Sequence, residues 1–215
     1  MSVKLSEFDL NCTACPRLSR FLNETKEKYP DYHSRPVPPF GVEKPKLLIV
    51  GLAPGMHGAN ASGRPFTGDH AGIILYHMLY QHGFSNKAIS TDLNDGLKLK
   101  QCRITNAVKC LPPDNKPVGE EINTCNQYLV EELKTIDKQA VILCLGLISH
   151  KAVVKALGLK QSDYPFKHAA LYKLNDGRQI MDSYHCSRYN TNTKRLTEVM
   201  FSDVFKHIKK QIKCR

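Results

Sequence analysis

Four side chains on three glycine-, asparagine- or histidine-bearing loops define a possible chemistry in this chain. The first loop runs Gly51-Leu52-Ala53-Pro54-Gly55-Met56-His57-Gly58-Ala59-Asn60. It continues as Ser62-Gly63-Arg64-Pro65-Phe66-Thr67-Gly68-Asp69-His70-Ala71-Gly72, with one carboxylate, one arginine and one phenylalanine. Glycine lets a backbone turn sharply and approach a ligand closely. Asn106 stands near the end of Ile104-Thr105-Asn106-Ala107-Val108. His185 opens a polar segment that continues Cys186-Ser187-Arg188-Tyr189-Asn190-Thr191-Asn192. Asp69 can stabilise positive charge on a sugar or position water. Phe66 can stack on a base, and the Asn106 amide can hydrogen-bond a base edge. His185 can stabilise charge gathering on a departing base. Singly, an Asn that closes a strand or a His at a strand end is an ordinary structural residue. Together these four provide the actions that breaking an N-glycosidic bond requires, and a base inside a duplex must first be rotated out.

A second constellation is made of cysteines. Cys12-Thr13-Ala14-Cys15 is a Cys-x-x-Cys pair, Cys110 opens the run Cys110-Leu111-Pro112-Pro113, and Cys125 follows on a helix. Four thiolates in this pattern suit an iron–sulfur cluster or a structural zinc. No thioredoxin-like context accompanies the pair, which argues against a redox dithiol. Cys102, Cys144, Cys186 and Cys214 read as buried or incidental thiols.

The elements that must position these groups alternate. Residues 16 to 30 read as a helix opened by Pro16. Residues 31 to 45 read as a connecting loop rich in proline. Leu47 to Gly51 reads as a buried strand, and Gly72 to His82 as a helix ended by Gly83. Arg103 to Val108 reads as a strand that runs into a loop, Lys109 to Pro117, where prolines forbid ladder bonds. Val118 to Asp137 is a long helix with acidic residues in its first turn. Ala140 to Cys144 is a strand, and Gly146 leads into a helix through Leu157. Asn175-Asp176-Gly177 is a hairpin turn between Ala169–Leu174 and Gln179–Asp182. Thr193 to Lys213 completes the chain as a helix with a basic outer face, with Asn190, Thr191 or Asn192 as candidate caps. Such alternation predicts a mainly parallel sheet with helices on both sides. Ligands of such sheets bind beyond the carboxyl ends of the strands.

At 215 residues, one domain spanning 1–215 is expected, with no internal repeat. The net charge of +11 favours a polyanion, of which nucleic acid is the commonest. The N-terminus Met1-Ser2-Val3-Lys4-Leu5-Ser6-Glu7 has no apolar signal-like region, and no apolar run approaches a membrane span. A soluble cytoplasmic monomer with no membrane partner is the expectation.

The sequence resembles the uracil-DNA glycosylase superfamily, in particular its type 5 iron–sulfur branch. The matching residues are Gly51-Leu52-Ala53-Pro54, Gly58, Asn60, Gly63-Arg64-Pro65-Phe66-Thr67-Gly68-Asp69 and Gly72. Thr105-Asn106-Ala107-Val108-Lys109-Cys110 with Pro112-Pro113 matches the middle motif. His185, Ser187, Asn190, Thr191, Arg195, Leu196 and Thr197 match the late one. The resemblance implies a three-layer α/β/α sandwich around a four-stranded, mainly parallel sheet. It implies a structural [4Fe–4S] cluster on Cys12, Cys15, Cys110 and Cys125, with zinc as the alternative metal. It also implies excision of uracil, and of other deaminated bases such as hypoxanthine, from double- or single-stranded DNA without strand cleavage. On this reading Asp69 and His185 are catalytic. Gly51, Ala53, Pro54, Phe66 and Asn106 hold the base, and Arg64, Ser187, Arg188, Tyr189 and Asn190 face the DNA. Two positions depart from the family pattern. Cys186 replaces a proline, which frees one φ angle and predicts a looser late loop, and Gly55 replaces an alanine and widens the pocket. The competing readings are a non-catalytic, metal-clamped nucleic-acid-binding protein and an iron–sulfur redox carrier.

Overall fold

The computed structural model describes residues 8–213. The segment Met1–Glu7, Cys214, Arg215 and the side chain of Lys213 lie outside the described residues. Strands β2 (Leu47–Gly51), β3 (Cys102–Asn106), β4 (Val141–Leu145) and β6 (Gln179–Ser183) form a parallel core. Every residue of these four strands is buried, as expected when helices cover both faces of a parallel sheet. Two antiparallel edge strands extend the sheet. They are β1 (Phe40–Gly41), beside β3, and β5 (Leu171–Lys173), beside β6. The order is β1-β3-β2-β4-β6-β5. The sheet therefore has six strands where four were expected. β1 is two residues long and lies in the proline-rich segment read as a loop, too short to show a period.

Alternation along the strands sorts the core into two layers. Leu47, Ile49, Ile104, Leu143 and Met181 pack against α3 (His70–Gln81) and α7 (Glu198–Lys213), through Leu75, Leu79, Phe201 and Phe205. Leu48, Val50, Ile142 and Ile180 face the other way, toward α4 (Gly119–Thr135) and α5 (Leu147–Ala156), through Leu129, Leu133 and Val153. This is an α/β/α sandwich. A smaller apolar cluster of Leu18, Val108 and Cys125 seats α1 (Pro16–Lys28) against the end of β3.

The chain leaves β2 for α3 on one face and leaves β4 for α5 on the other. Connections that part in this way open a crevice beyond the carboxyl ends of the strands. Gly51, Asn106 and His185 all sit at or just past such ends. Among the described residues, no helix is long and apolar enough to cross a membrane.

The C-terminal helix, expected from Thr193, begins later, at Glu198, and the polar segment before it holds a helix of its own. Arg188–Asn192 forms a short helix, α6, and Lys194 at φ +56° turns the chain before α7 begins at Glu198. Ser187 caps α6 by accepting from the Asn190 N–H, and Thr197 accepts from the Met200 N–H at the start of α7. The caps are therefore Ser187 and Thr197, not Asn190, Thr191 or Asn192.

Candidate active site

Asp69 is the N-cap of α3, with Oδ1 accepting the Gly72 N–H at 2.8 Å. This is the usual work of an N-cap carboxylate, and it fixes the side chain's direction. A Cβ built on Gly58 would stand 2.5 Å from Asp69 Oδ2, and one on Gly55 would stand 3.3 Å away. The glycines therefore let the loop fold directly onto the carboxylate. Asn60, on the short helix α2 (Ala59–Ser62), is wholly buried behind this loop.

Phe66 is held by the same economy of space. It is a buried non-glycine residue at φ +54°, a conformation that persists only where surroundings enforce it. Its carbonyl oxygen lies 1.8 Å from where a Gly72 Cβ would be, and its ring 2.6 Å from a Gly51 Cβ. Asn106 Oδ1 lies 2.4 Å from that same Gly51 position. Gly51 thus brings the aromatic ring and the amide together at the end of β2. Among the described residues, Asn106 Oδ1 is buried without a hydrogen-bond partner. A buried acceptor left unmet costs about 1–3 kcal/mol, and a ligand N–H would remove that cost.

His185 completes the group. Its ring lies near parallel to Phe66, 5.9 Å between centroids. Burial pushes the imidazole below its ordinary pKa, and the Asp69 carboxylate opposes that shift. The ring is neutral at pH 7 and can donate one N–H. Asn190 Nδ2 donates to the His185 carbonyl at 2.8 Å, which sets the backbone. His70 Nε2 bonds Thr191 Oγ1 at 3.0 Å, tying α3 to α6. Cys186 is fully buried, and its thiol donates to the Ala71 carbonyl at 3.5 Å. This contact ties the late loop to α3.

Asp69, His185, Phe66 and Asn106 line one open cavity of about 580 Å³, together with Ala53, Gly55, His57, Ser187 and Arg188. The four chemistry-bearing residues read from the sequence are therefore brought to one place. Pro54 is buried outside that lining. The lining also includes Asn115, from the proline loop Lys109 to Pro117. Asp114 and Asn115 both take the left-handed conformation, φ +54° and +56°, which carries Asn115 to the rim.

Arg64 requires a correction. It was expected to face DNA, but only 2% of its side chain is exposed. Its guanidinium bonds Asp95 Oδ2 and Ser90 Oγ, both at 2.8 Å, and the Leu93 carbonyl at 2.9 Å. It also lies 4.5 Å from the Phe40 ring centroid. It is a pillar under the loop. Asn190 and Ser187 are likewise committed internally, to His185 and to the α6 cap. Of the five expected DNA-facing residues, Arg188 and Tyr189 are the exposed ones.

The cysteine set also converges. Cys12, Cys15, Cys110 and Cys125 line one small cavity of about 20 Å³ with Leu18, Lys109 and Tyr128. Burial first, and then the neighbouring thiols, push Cys15 to about 11 and raise Cys110. Burial also raises Cys125. Four thiolates this close repel one another unless a cation joins them. Cys125 Sγ already accepts the Lys109 N–H at 3.3 Å. Arg17 pairs with Glu121 at 2.8 Å and ties α1 to α4 around the site. This donor set fits a thiolate-bound metal centre. A buried Cys144-His150-Asp182 group is different. His150 Nδ1 bonds Asp182 and Nε2 bonds the Tyr164 carbonyl, both at 2.7 Å. Both ring nitrogens are used, so the group reads as a buried hydrogen-bonded pair that joins α5 to β6.

The α/β/α sandwich thus brings a carboxylate, an imidazole, an aromatic ring and an unmet amide oxygen together at its strand ends. The pattern of the Uracil DNA glycosylase superfamily matches residues 38–209, and the chain belongs to that superfamily. It is 42% identical to the type-5 uracil-DNA glycosylase of Thermus thermophilus over 93% of each chain. It is 41% identical to that of Mycobacterium leprae, over 93% of this chain and 90% of the other. A type-4 uracil-DNA glycosylase of Archaeoglobus fulgidus is 33% identical over 70% of this chain and 62% of its own length.

Proposed function

We propose that this protein removes uracil from DNA by hydrolysing the N-glycosidic bond of a flipped nucleotide. The observation that carries the reading is the placement of Asp69, His185, Phe66 and Asn106 around one cavity. The base stacks on Phe66, and the Asn106 amide, whose Oδ1 has no partner among the described residues, reads its edge. As the bond lengthens, positive charge grows on the sugar and negative charge on the base. Asp69, aimed by the Gly72 N–H, stabilises the sugar cation or directs the attacking water. His185 donates its N–H to the anionic base. A preorganised donor of this kind is worth about 3–4 kcal/mol of transition-state stabilisation. The exposed Arg188 and Tyr189 contact DNA as the late loop enters the minor groove.

The same pocket accepts other deaminated bases such as hypoxanthine, on double- or single-stranded DNA, and the protein acts as a monomer in the cytoplasm. Gly55, in place of a larger residue, adds room. Cys12, Cys15, Cys110 and Cys125 hold a [4Fe–4S] cluster. Bound there, the cluster supplies a rigid joint between the N-terminal segment, β3 and α4, and takes no part in the reaction. The test is incubation with duplexes carrying uracil, hypoxanthine or xanthine, followed by alkaline cleavage. Abasic sites from uracil support the reading, and DNA binding with no released base supports a non-catalytic binder. Absorbance near ~400 nm in the purified protein marks iron, and a colourless protein with bound zinc marks the alternative metal.

A further inference from the structure

His57 lines the cavity and is exposed, yet it is not free to swing. Tyr32 Oη and His57 Nδ1 are 2.8 Å apart. The His57 ring meets the rings of Tyr29 and Tyr32 edge-on, at 5.6 and 5.9 Å. Those tyrosines stack on each other at 4.7 Å. An exposed imidazole braced by two tyrosines is preorganised, and preorganisation matters most for a group that meets a ligand. In the tautomer with the ring proton on Nε2, Tyr32 donates to Nδ1, and Nε2 has no partner among the described residues.

The depth of the cavity selects the ligand. Phe66 and Asn106, which take the base, are buried. His57 and Arg188 are exposed lining residues, so they stand at the mouth. When a base rotates out about its backbone, the sugar–phosphate chain stays at the mouth. The surroundings of His57 are cationic as well as aromatic. Lys28 Nζ lies 5.5 Å from the Tyr29 centroid, and Lys26 Nζ donates to the Tyr32 carbonyl at 2.6 Å.

Building on the glycosylase reading, we propose that His57, oriented by Tyr32, donates from Nε2 to a phosphodiester flanking the flipped nucleotide. His57 is thus a DNA contact on the first loop, and Tyr32 is its positioning residue. The experiment uses duplexes with a non-hydrolysable 2′-fluorinated deoxyuridine, with each flanking phosphate in turn replaced by neutral methylphosphonate. For the wild-type protein, one such replacement weakens binding about 5–10-fold. In His57→Ala that same replacement costs nothing further, because its partner is already gone. Tyr32→Phe keeps the ring stack and loses part of the coupling, and His57→Gln, which retains a donor, restores part of it. Thermal unfolding confirms that each variant is folded. If His57→Ala and His57→Gln both show the full wild-type sensitivity at every flanking phosphate, the contact is overturned. Wild-type protein that excises no uracil refutes the glycosylase reading itself. Excision without coupling refutes only the role of His57.

Discussion

Removing Asp95 tests the reassignment of Arg64 from DNA contact to buried pillar. The two groups form an ion pair at 2.8 Å with side-chain exposures of 2% and 8%. Asp95 also accepts the Thr91 N–H at 2.9 Å and the Leu97 N–H at 2.8 Å. Breaking a buried pair by deleting one partner costs about 3–5 kcal/mol, because the other charge is left uncompensated. The two backbone donors lose their acceptor as well, so Asp95→Ala belongs at the upper end of that range. Against a typical total stability of about 5–15 kcal/mol, this is a large fraction. Asp95→Asn keeps one acceptor oxygen and belongs at the lower end. Acid probes the same pair. Burial opposes ionisation of Asp95, but the Leu97 N–H, the Arg64 guanidinium and the Thr91 N–H outweigh it and hold the carboxyl at about 2, against 3.8 when free. A depressed folded pKa contributes stability that is present above about pH 4 and is lost as pH falls toward 2. At about 1.4 kcal/mol per pH unit, the contribution is on the order of 2 kcal/mol. Urea denaturation of wild type and both variants at pH 7, and of wild type between pH 5 and 2, measures these quantities. Separately, Arg64→Met should leave the salt dependence of DNA binding unchanged. A cost below about 1 kcal/mol for Asp95→Ala, or a salt slope lowered by about one in Arg64→Met, would refute the pillar.

Three further outcomes are expected. Gly72→Ala places a methyl group 1.8 Å from the Phe66 carbonyl and must displace the stacking ring. Excision should fall at least about 100-fold, as for an ångström-scale misplacement, while far-ultraviolet circular dichroism stays native. The pH profile of kcat/KM on uracil-containing duplex should have its acid limb below 6.5, because burial lowers His185 and keeps it neutral further into acid. A limb above 7 would contradict a neutral donor. His150→Ala leaves the buried Asp182 carboxyl without its 2.7 Å partner, and chemical denaturation should show a loss of about 3–5 kcal/mol with no change in metal content.

The parallel core could be read from the chain because its signals are local. Leu47–Gly51 is bounded by polar and glycine residues, and the structure places β2 on those same residues. Asn175-Asp176-Gly177 forms the turn of the β5–β6 hairpin. The Cys-x-x-Cys pair and the glycine spacing of the first loop also act over short range, and they led to both sites. What escaped depends on partners far along the chain. Arg64 meets Asp95 across 31 residues, and His70 meets Thr191 across 121. No local pattern distinguishes a DNA-facing arginine from one buried in an ion pair. The late start of the last helix escaped because Lys194 takes a positive φ, a conformation that a lysine does not advertise. Asn115 escaped for the same reason.

The most direct measurement is the single-turnover rate of uracil release from a defined duplex by wild type, Asp69→Asn and His185→Ala, each checked for native unfolding. The account requires that wild type release free uracil and that each substitution slow release by about 100-fold or more. Full-rate release by both variants would show that the carboxylate and the imidazole bordering this cavity do not share the charges of the breaking bond.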